Sequence, residues 1–169
     1  MASSFLSTAR NKAIQYLAMR EHSYLELVDK LKSKGFGNTE IDAALGELVE
    51  EKLLSDARFG EAFVRSKAFK GQGPVRIRMA LRERGLDDAQ IDSAFAANSD
   101  IDWDALVVQV FFKKFLPNAG PDLEGNSASL VSVWSDDMAS KSKQWRFLQY
   151  RGFTQSQISR LFHRLAGQR

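Results

Sequence analysis

The 169-residue chain contains no cysteine, which excludes disulfides, thiolate nucleophiles and cysteine-ligated zinc. Histidine is nearly as scarce. His22 and His163 stand far apart, and no carboxylate pattern beside either makes a metal-binding helix, so neither a metal nor a cofactor is expected. No apolar run approaches the roughly 20 residues that span a bilayer, and Arg10 and Lys12 interrupt what would have to be a signal peptide's apolar stretch. Residues 1–20 lack acids and carry several Ser, Ala and Arg, as a transit peptide does, yet they read more simply as a first helix. A cytoplasmic protein with no membrane partner is the expectation. No paired acid and base, nucleophile set or phosphate-gripping loop emerges either, so no catalytic residue is assigned and an enzyme is not expected.

What is present is enough hydrophobic sequence, 44%, to bury a core. A net charge of +3 hides a block pattern: −2 over residues 1–56, 0 over 57–64, +6 over 65–84, −8 over 85–137 and +7 over 138–169. Two basic segments separated by an acidic one suit a surface that touches a polyanion in places, although solvated helix faces produce the same pattern.

One skeleton is written three times, as LKSKGFGNTEIDAAL from Leu31, LRERGLDDAQIDSAF from Leu81 and LQYRGFTQSQISRLF from Leu148. Gly35, Gly85 and Gly152 fit the left-handed position just past a helix end. The apolar residue after each can return to the residue one turn back, pairing Leu31 with Phe36, Leu81 with Leu86 and Leu148 with Phe153. Lys34, Arg84 and Arg151 precede the glycines and suit the negative end of a helix dipole. Glu40, Gln90 and Gln157 then mark a helix restart, with Asp87 and Thr154 as caps in the second and third copies. Ile41, Ala44, Leu45, Leu48 and Val49, like Ile158, Leu161, Phe162, Leu165 and Ala166, keep helical spacing and read as core stripes.

Another helical segment lies upstream of each pair. The first carries Ala9, Ala13, Tyr16 and Leu17, followed by a capping box predicted for Ser23 and Glu26. The second carries Phe59, Ala62, Phe63 and Ser66, with Asp56 as its predicted cap. The third carries Trp103, Leu106, Val107, Val110 and Phe111. The fold class is therefore all-α, an elongated, curved array of three tandem three-helix repeats over residues 1–55, 56–99 and 100–169, with a loop insertion at about 117–135. Internal repetition makes a monomer the simplest state. In KGQGP, Gly73 caps a helix and Pro74 takes its first position. Asp100, Asp102 and Asp104 resemble the opening of a calcium loop, but Ala105 and Phe111 occupy the positions that need Gly and Glu, so these acids read as helix N-terminal residues.

The candidate partner-binding residues are Arg65, Lys67, Lys70, Arg76, Arg78 and Arg82, in a basic stretch running to Arg84 with Glu83 as its one acid, together with Lys141, Lys143, Arg146, Arg160 and Arg164 in a segment with no acid at all. Trp145 and Tyr150 lie among the latter; aromatics so placed can stack on unpaired bases, although Trp145 at helical spacing from Leu148 reads as core.

The chain resembles the RecX family over about residues 10–165. The agreeing pieces are REHS with EL and KL around Arg20 to Leu31, LLSDARFGEAFV from Leu53, KGQGPVRIRMAL from Lys70, DIDWDALV from Asp100 and RFLQYRGF from Arg146. That resemblance implies a non-enzymatic negative modulator of the RecA recombinase. Such a protein lodges along the groove of RecA filaments on single-stranded DNA and restrains ATP hydrolysis, filament extension and strand exchange, within DNA recombination, repair and the SOS response. The partners implied are the RecA filament and single-stranded, with double-stranded, DNA. Arg58 and Phe59 fall on the family's D-x-R-F motif, and Gly73, Pro74, Arg76 and Ile77 on its G-x-G-P-x-R-I motif. Asp56, Phe59, Phe63, Pro74 and Ile77 are assigned to folding, Arg58 to a contact between modules, and Arg76, Arg78 and Arg82 to the partner. Gly60 stands where the family usually has Ala, a change costing about 1 kcal/mol in a helix interior. A general DNA-binding helical protein acting without RecA is the alternative.

Overall fold

The computed structural model describes residues 8–116 and 138–166, so the loop expected at about 117–135 lies outside the described residues. The described residues form nine α-helices and no strand: α1 Ala9–Leu17, α2 Tyr24–Lys32, α3 Asn38–Glu50, α4 Asp56–Phe69, α5 Pro74–Arg82, α6 Asp88–Ala96, α7 Trp103–Phe115, α8 Met138–Arg151 and α9 Gln155–Ala166. Two compact units result among the described residues, one from 8–64 with 80–98, the other from 65–79 with 99–116 and 138–166. Both α4 and α5 thus contribute residues to each unit.

The repeated skeleton is a Schellman cap in all three copies. Gly35, Gly85 and Gly152 have φ of 88°, 88° and 91°. Behind them Phe36, Leu86 and Phe153 donate their N–H groups to the carbonyls of Leu31, Leu81 and Leu148 at 3.3, 3.2 and 3.2 Å. Each cap satisfies carbonyls that would otherwise be orphaned at the helix end, and it turns the following apolar residue back toward the core. The restart is a full capping box twice: Asp87 with Gln90, and Thr154 with Gln157, exchange hydrogen bonds in both directions. In the first copy Gly37 supplies no side chain at this position, and Glu40 instead accepts from the Ala9 N–H at 3.2 Å, capping α1 from a distance.

Two predicted caps are corrected. Ser23 does cap α2, accepting from the Glu26 N–H at 3.1 Å, but the Glu26 carboxylate is held by Arg20 and Arg84, both at 3.0 Å, which outcompete a neutral amide for a charged acceptor. Asp56 does not cap α4. Ser55 does so, accepting from the Arg58 N–H at 3.3 Å, while Asp56 accepts from the Tyr24 N–H at 2.8 Å and serves the start of α2.

Within the first unit Ala9, Ala13, Leu27, Leu31, Ile41, Ala44, Leu45, Leu48 and Leu54 form one buried cluster. Small residues on α1 and leucines on α2 and α3 are what let three short helices close on each other; each buried leucine contributes about 2 kcal/mol. Gly60 does not interrupt α4. A Cβ there would stand 3.0 Å from the Ala94 Cβ and 3.1 Å from a Leu86 methyl, so the missing side chain is the space into which α6 and its preceding turn pack. Within the second unit Val107, Val108, Phe111, Phe112, Leu148, Phe153, Ile158, Leu161 and Leu165 form the core of α7, α8 and α9. Trp145 and Phe162, rings 5.6 Å apart, are half-buried against it.

Candidate nucleic-acid and partner interface

The cationic side chains singled out from sequence divide between the units. Arg65, Lys67, Lys70, Arg76, Arg78, Lys141, Lys143, Arg146, Arg160 and Arg164 belong to the second, whereas Arg82 belongs to the first. Several are engaged internally. Arg65 reaches Asp100 at 3.1 and 3.3 Å, and this hydrogen bonding holds the Asp100 carboxyl below its ordinary 3.8. Arg160 grips both oxygens of Asp104 at 2.7 and 3.0 Å, which keeps the guanidinium more firmly protonated than usual. Arg82 lies 2.8 Å from Asp88. All three pairs are exposed, and such pairs are worth no more than about 1 kcal/mol, so a phosphate oxygen can replace the carboxylate at little cost.

The three acids read from sequence as helix N-terminal residues have separate partners. Asp102 caps α7 by accepting from the N–H groups of Asp104 and Ala105 at 3.0 and 2.9 Å. Asp100 and Asp104 serve Arg65 and Arg160. Among the described residues no group of three or more His, Cys, Asp or Glu side chains is placed to hold a metal ion.

Arg76 is built into the second unit. Its guanidinium sits over the Tyr150 ring at 4.9 Å and donates from Nη1 to the Tyr150 carbonyl at 3.1 Å. Behind it the first turn of α5 meets the last turn of α8: the Gly73 N–H donates to the Arg151 carbonyl at 2.8 Å and the Val75 N–H to the Gly152 carbonyl at 2.9 Å. Two of the N–H groups that Pro74 leaves unpaired at the start of α5 are thereby satisfied by the carbonyl end of α8, with the helix dipoles favourably opposed. Ile77, the next inward residue, is fully buried.

On α8 itself Lys143, Arg146 and Tyr150 share one exposed face, since positions three, four and seven apart lie together on a helix. On the flank of that face Met138, Lys141, Ser142, Trp145, Phe162 and His163 line an open groove of about 780 Å³ that also includes Arg146, with cations but no carboxylate among the described residues that line it. Among the described residues neither α5 nor α8 carries an acidic side chain.

The remaining motif residues hold the first unit together. Arg58 bonds Glu21 at 2.9 Å and the Leu53 carbonyl at 3.0 Å, and Phe59, 2% exposed, stacks on Phe63 at 5.4 Å. Arg84 covers Phe63 at 4.9 Å while donating to Glu26 and to the Ala80 carbonyl. Sequence reasoning placed Arg84 at a helix dipole but missed Glu26 as its partner, because 58 residues separate them and no local pattern links them.

Helices spaced this way, capped three times by the same device, match known proteins. Models of the first, second and third three-helix domains of RecX match residues 9–48, 55–94 and 132–162. The chain is 40% identical over 152 residues to the Regulatory protein RecX of Pseudomonas entomophila, covering 90% of this chain and 88% of that one. It is also 40% identical over 156 residues to the protein of the same name from Pseudomonas fluorescens, covering 92% and 90%. In fold it resembles the crystal structure of RecX from Lactobacillus salivarius, with a TM-score of 0.72 at 23% identity over 94% of both chains. A second crystal structure of regulatory protein RecX gives a TM-score of 0.71 at 20% identity, covering 89% of this chain and 69% of that one. With three consecutive domains matched and relatives aligned nearly end to end, this chain belongs to the RecX family of regulatory proteins.

Proposed function

We propose that this protein is a negative modulator of a RecA recombinase, acting on the RecA filament on single-stranded DNA to inhibit its ATPase, its extension and strand exchange in the cytoplasm. Membership of the RecX family carries the reading. The acid-free cationic surface of α8, with Arg160 and Arg164 on α9, supports it physically, because a filament of protein on DNA offers phosphates in a fixed array. Arg65, Arg82 and Arg160 contribute by exchanging an exposed carboxylate for a phosphate or for an acidic side chain of the filament. The role proposed is one of binding, supported by the cations and apolar side chains that line the groove on α8 and α9.

The test is single-stranded-DNA-stimulated ATP hydrolysis by RecA, titrated with this protein from well below to stoichiometric amounts. Inhibition that excess DNA does not relieve is the expected result. Unchanged hydrolysis at equal amounts overturns the RecA reading. A second reading, DNA binding without RecA, is favoured by the same acid-free surface. It requires bare-DNA affinity strong enough to account for inhibition, falling steeply with salt and relieved by excess DNA.

A further inference from the structure

We infer that Tyr150 is a stacking platform for an unpaired base, with Arg76 as its fixed backing and Lys143 and Arg146 as the adjoining phosphate contacts. This rests on the reading of α8 as facing single-stranded DNA and names the residue that tells single from double strands. Tyr150 is 73% exposed although it lies in the last turn of a well-packed helix whose neighbour Leu148 is fully buried. A large aromatic left in solvent has no folding benefit from burial. One face of its ring is covered by Arg76 at 4.9 Å, and Arg76 is held in register by its bond to the Tyr150 carbonyl. Apart from that contact the residue is largely in solvent among the described residues.

Arg76 contacts one face of the ring and is itself tied to the Tyr150 backbone, so a base would stack on the face away from Arg76. Lys143 and Arg146 stand seven and four residues back on the same face of α8, both exposed, so a strand running along the helix meets cation, cation, ring in sequence. No carboxylate on α5 or α8 repels it. Bases are sequestered in a duplex, so such a platform selects unpaired strands, and it tolerates any sequence because every base has a π-face.

The test uses a fluorescein-labelled oligo-dT of about fifteen nucleotides and a duplex of equal length, with no recombinase present, followed by anisotropy across a salt series. Tyr150→Leu should weaken oligo-dT binding roughly tenfold, leave duplex binding within about twofold and keep the salt slope, whereas Tyr150→Phe should bind like the parent. The pair Lys143→Gln with Arg146→Gln should instead flatten the salt slope. Equal binding by Tyr150→Leu and the parent, an equal loss on duplex, or no oligo-dT binding by the parent protein overturns the proposal. An independent measurement on the unaltered protein is photocrosslinking to a 4-thiothymidine oligonucleotide: adducts at Tyr150 support the platform and adducts only elsewhere overturn it. Failure here leaves the RecA reading to the ATPase titration, and failure of that titration leaves the stacking site standing.

Discussion

Gly73 and Gly152 meet backbone to backbone. A Cβ on Gly73 would run into the carbonyl group of Gly152, and a Cβ on Gly152 would run into the Cβ of Arg76. The pair sets how closely α5 and α8 approach, and with it the position of Arg76 over Tyr150.

Gly152→Ala should therefore lower the unfolding free energy of the protein by about 2 kcal/mol or more, since it adds a clash to a left-handed backbone. Gly35 has nearly the same φ, yet nothing lies within 4 Å of its missing Cβ, so Gly35→Ala should cost only about 1 kcal/mol. Urea denaturation of both variants checks the order. Equal losses would mean that backbone conformation alone matters at Gly152.

Glu26 holds Arg20 and Arg84 at once, and its side chain is only 18% exposed. A double-mutant cycle between Glu26→Gln and Arg84→Met should give a coupling of about 1–2 kcal/mol. The same cycle between Arg65 and Asp100, both about 60% exposed, should give a clearly smaller coupling that added salt removes. Stability measured by chemical denaturation reads both.

His22 is 3% exposed, with Nδ1 3.0 Å from the Arg20 carbonyl. Burial is the main cause lowering its pKa below the ordinary 6.5; the carbonyl and Glu26 oppose this, and Arg20 and Lys30 reinforce it. Because the folded state favours the neutral ring, its contribution is complete above about pH 6.5 and is lost as pH falls through the folded value. Tyr24 behaves oppositely: burial and Asp42 raise it above 10.0, so its contribution is complete below that pH and is lost as pH rises through the folded value. Denaturation midpoints of the parent and His22→Gln between pH 7.5 and about pH 5 should converge as the solution is acidified. Parallel curves would exclude His22 as the source.

Asp102 caps α7 with two hydrogen bonds, whereas Asp100 contacts Arg65 in solvent. Asp102→Ala should cost about 1 kcal/mol and Asp100→Ala clearly less. Calcium should leave the melting temperature of the parent unchanged, since the acids that resemble a calcium loop are committed to a cap and two ion pairs. A calcium-dependent rise in that temperature would reverse this assignment.

The three helix restarts were legible because their signals are local: a glycine in the left-handed region, an apolar residue behind it and a polar residue three past the cap all lie within six residues of the chain. The core stripes were mostly legible for the same reason, as the 3.6-residue period of a helix writes burial into Ile41, Ala44, Leu45 and Leu48, but Val49 and Ala166, at the edge of the same stripes, stay exposed. The basic segments were equally plain from charge. Which cation meets which acid was not, because Glu26 with Arg84, Arg160 with Asp104 and Asp56 with the Tyr24 N–H join residues 32 or more apart, and nothing periodic records a distance in space. Sequence by itself determined that this chain is three repeated helical modules of a RecX protein. Tertiary structure alone decided that Glu26 prefers two arginines to its own helix start, that Gly73 and Gly152 must both lack a side chain, and that Tyr150 stays in solvent with Arg76 behind it. Those outcomes follow from competition among groups brought together only when the helices pack, where charge, space and unpaired N–H groups are settled jointly rather than turn by turn.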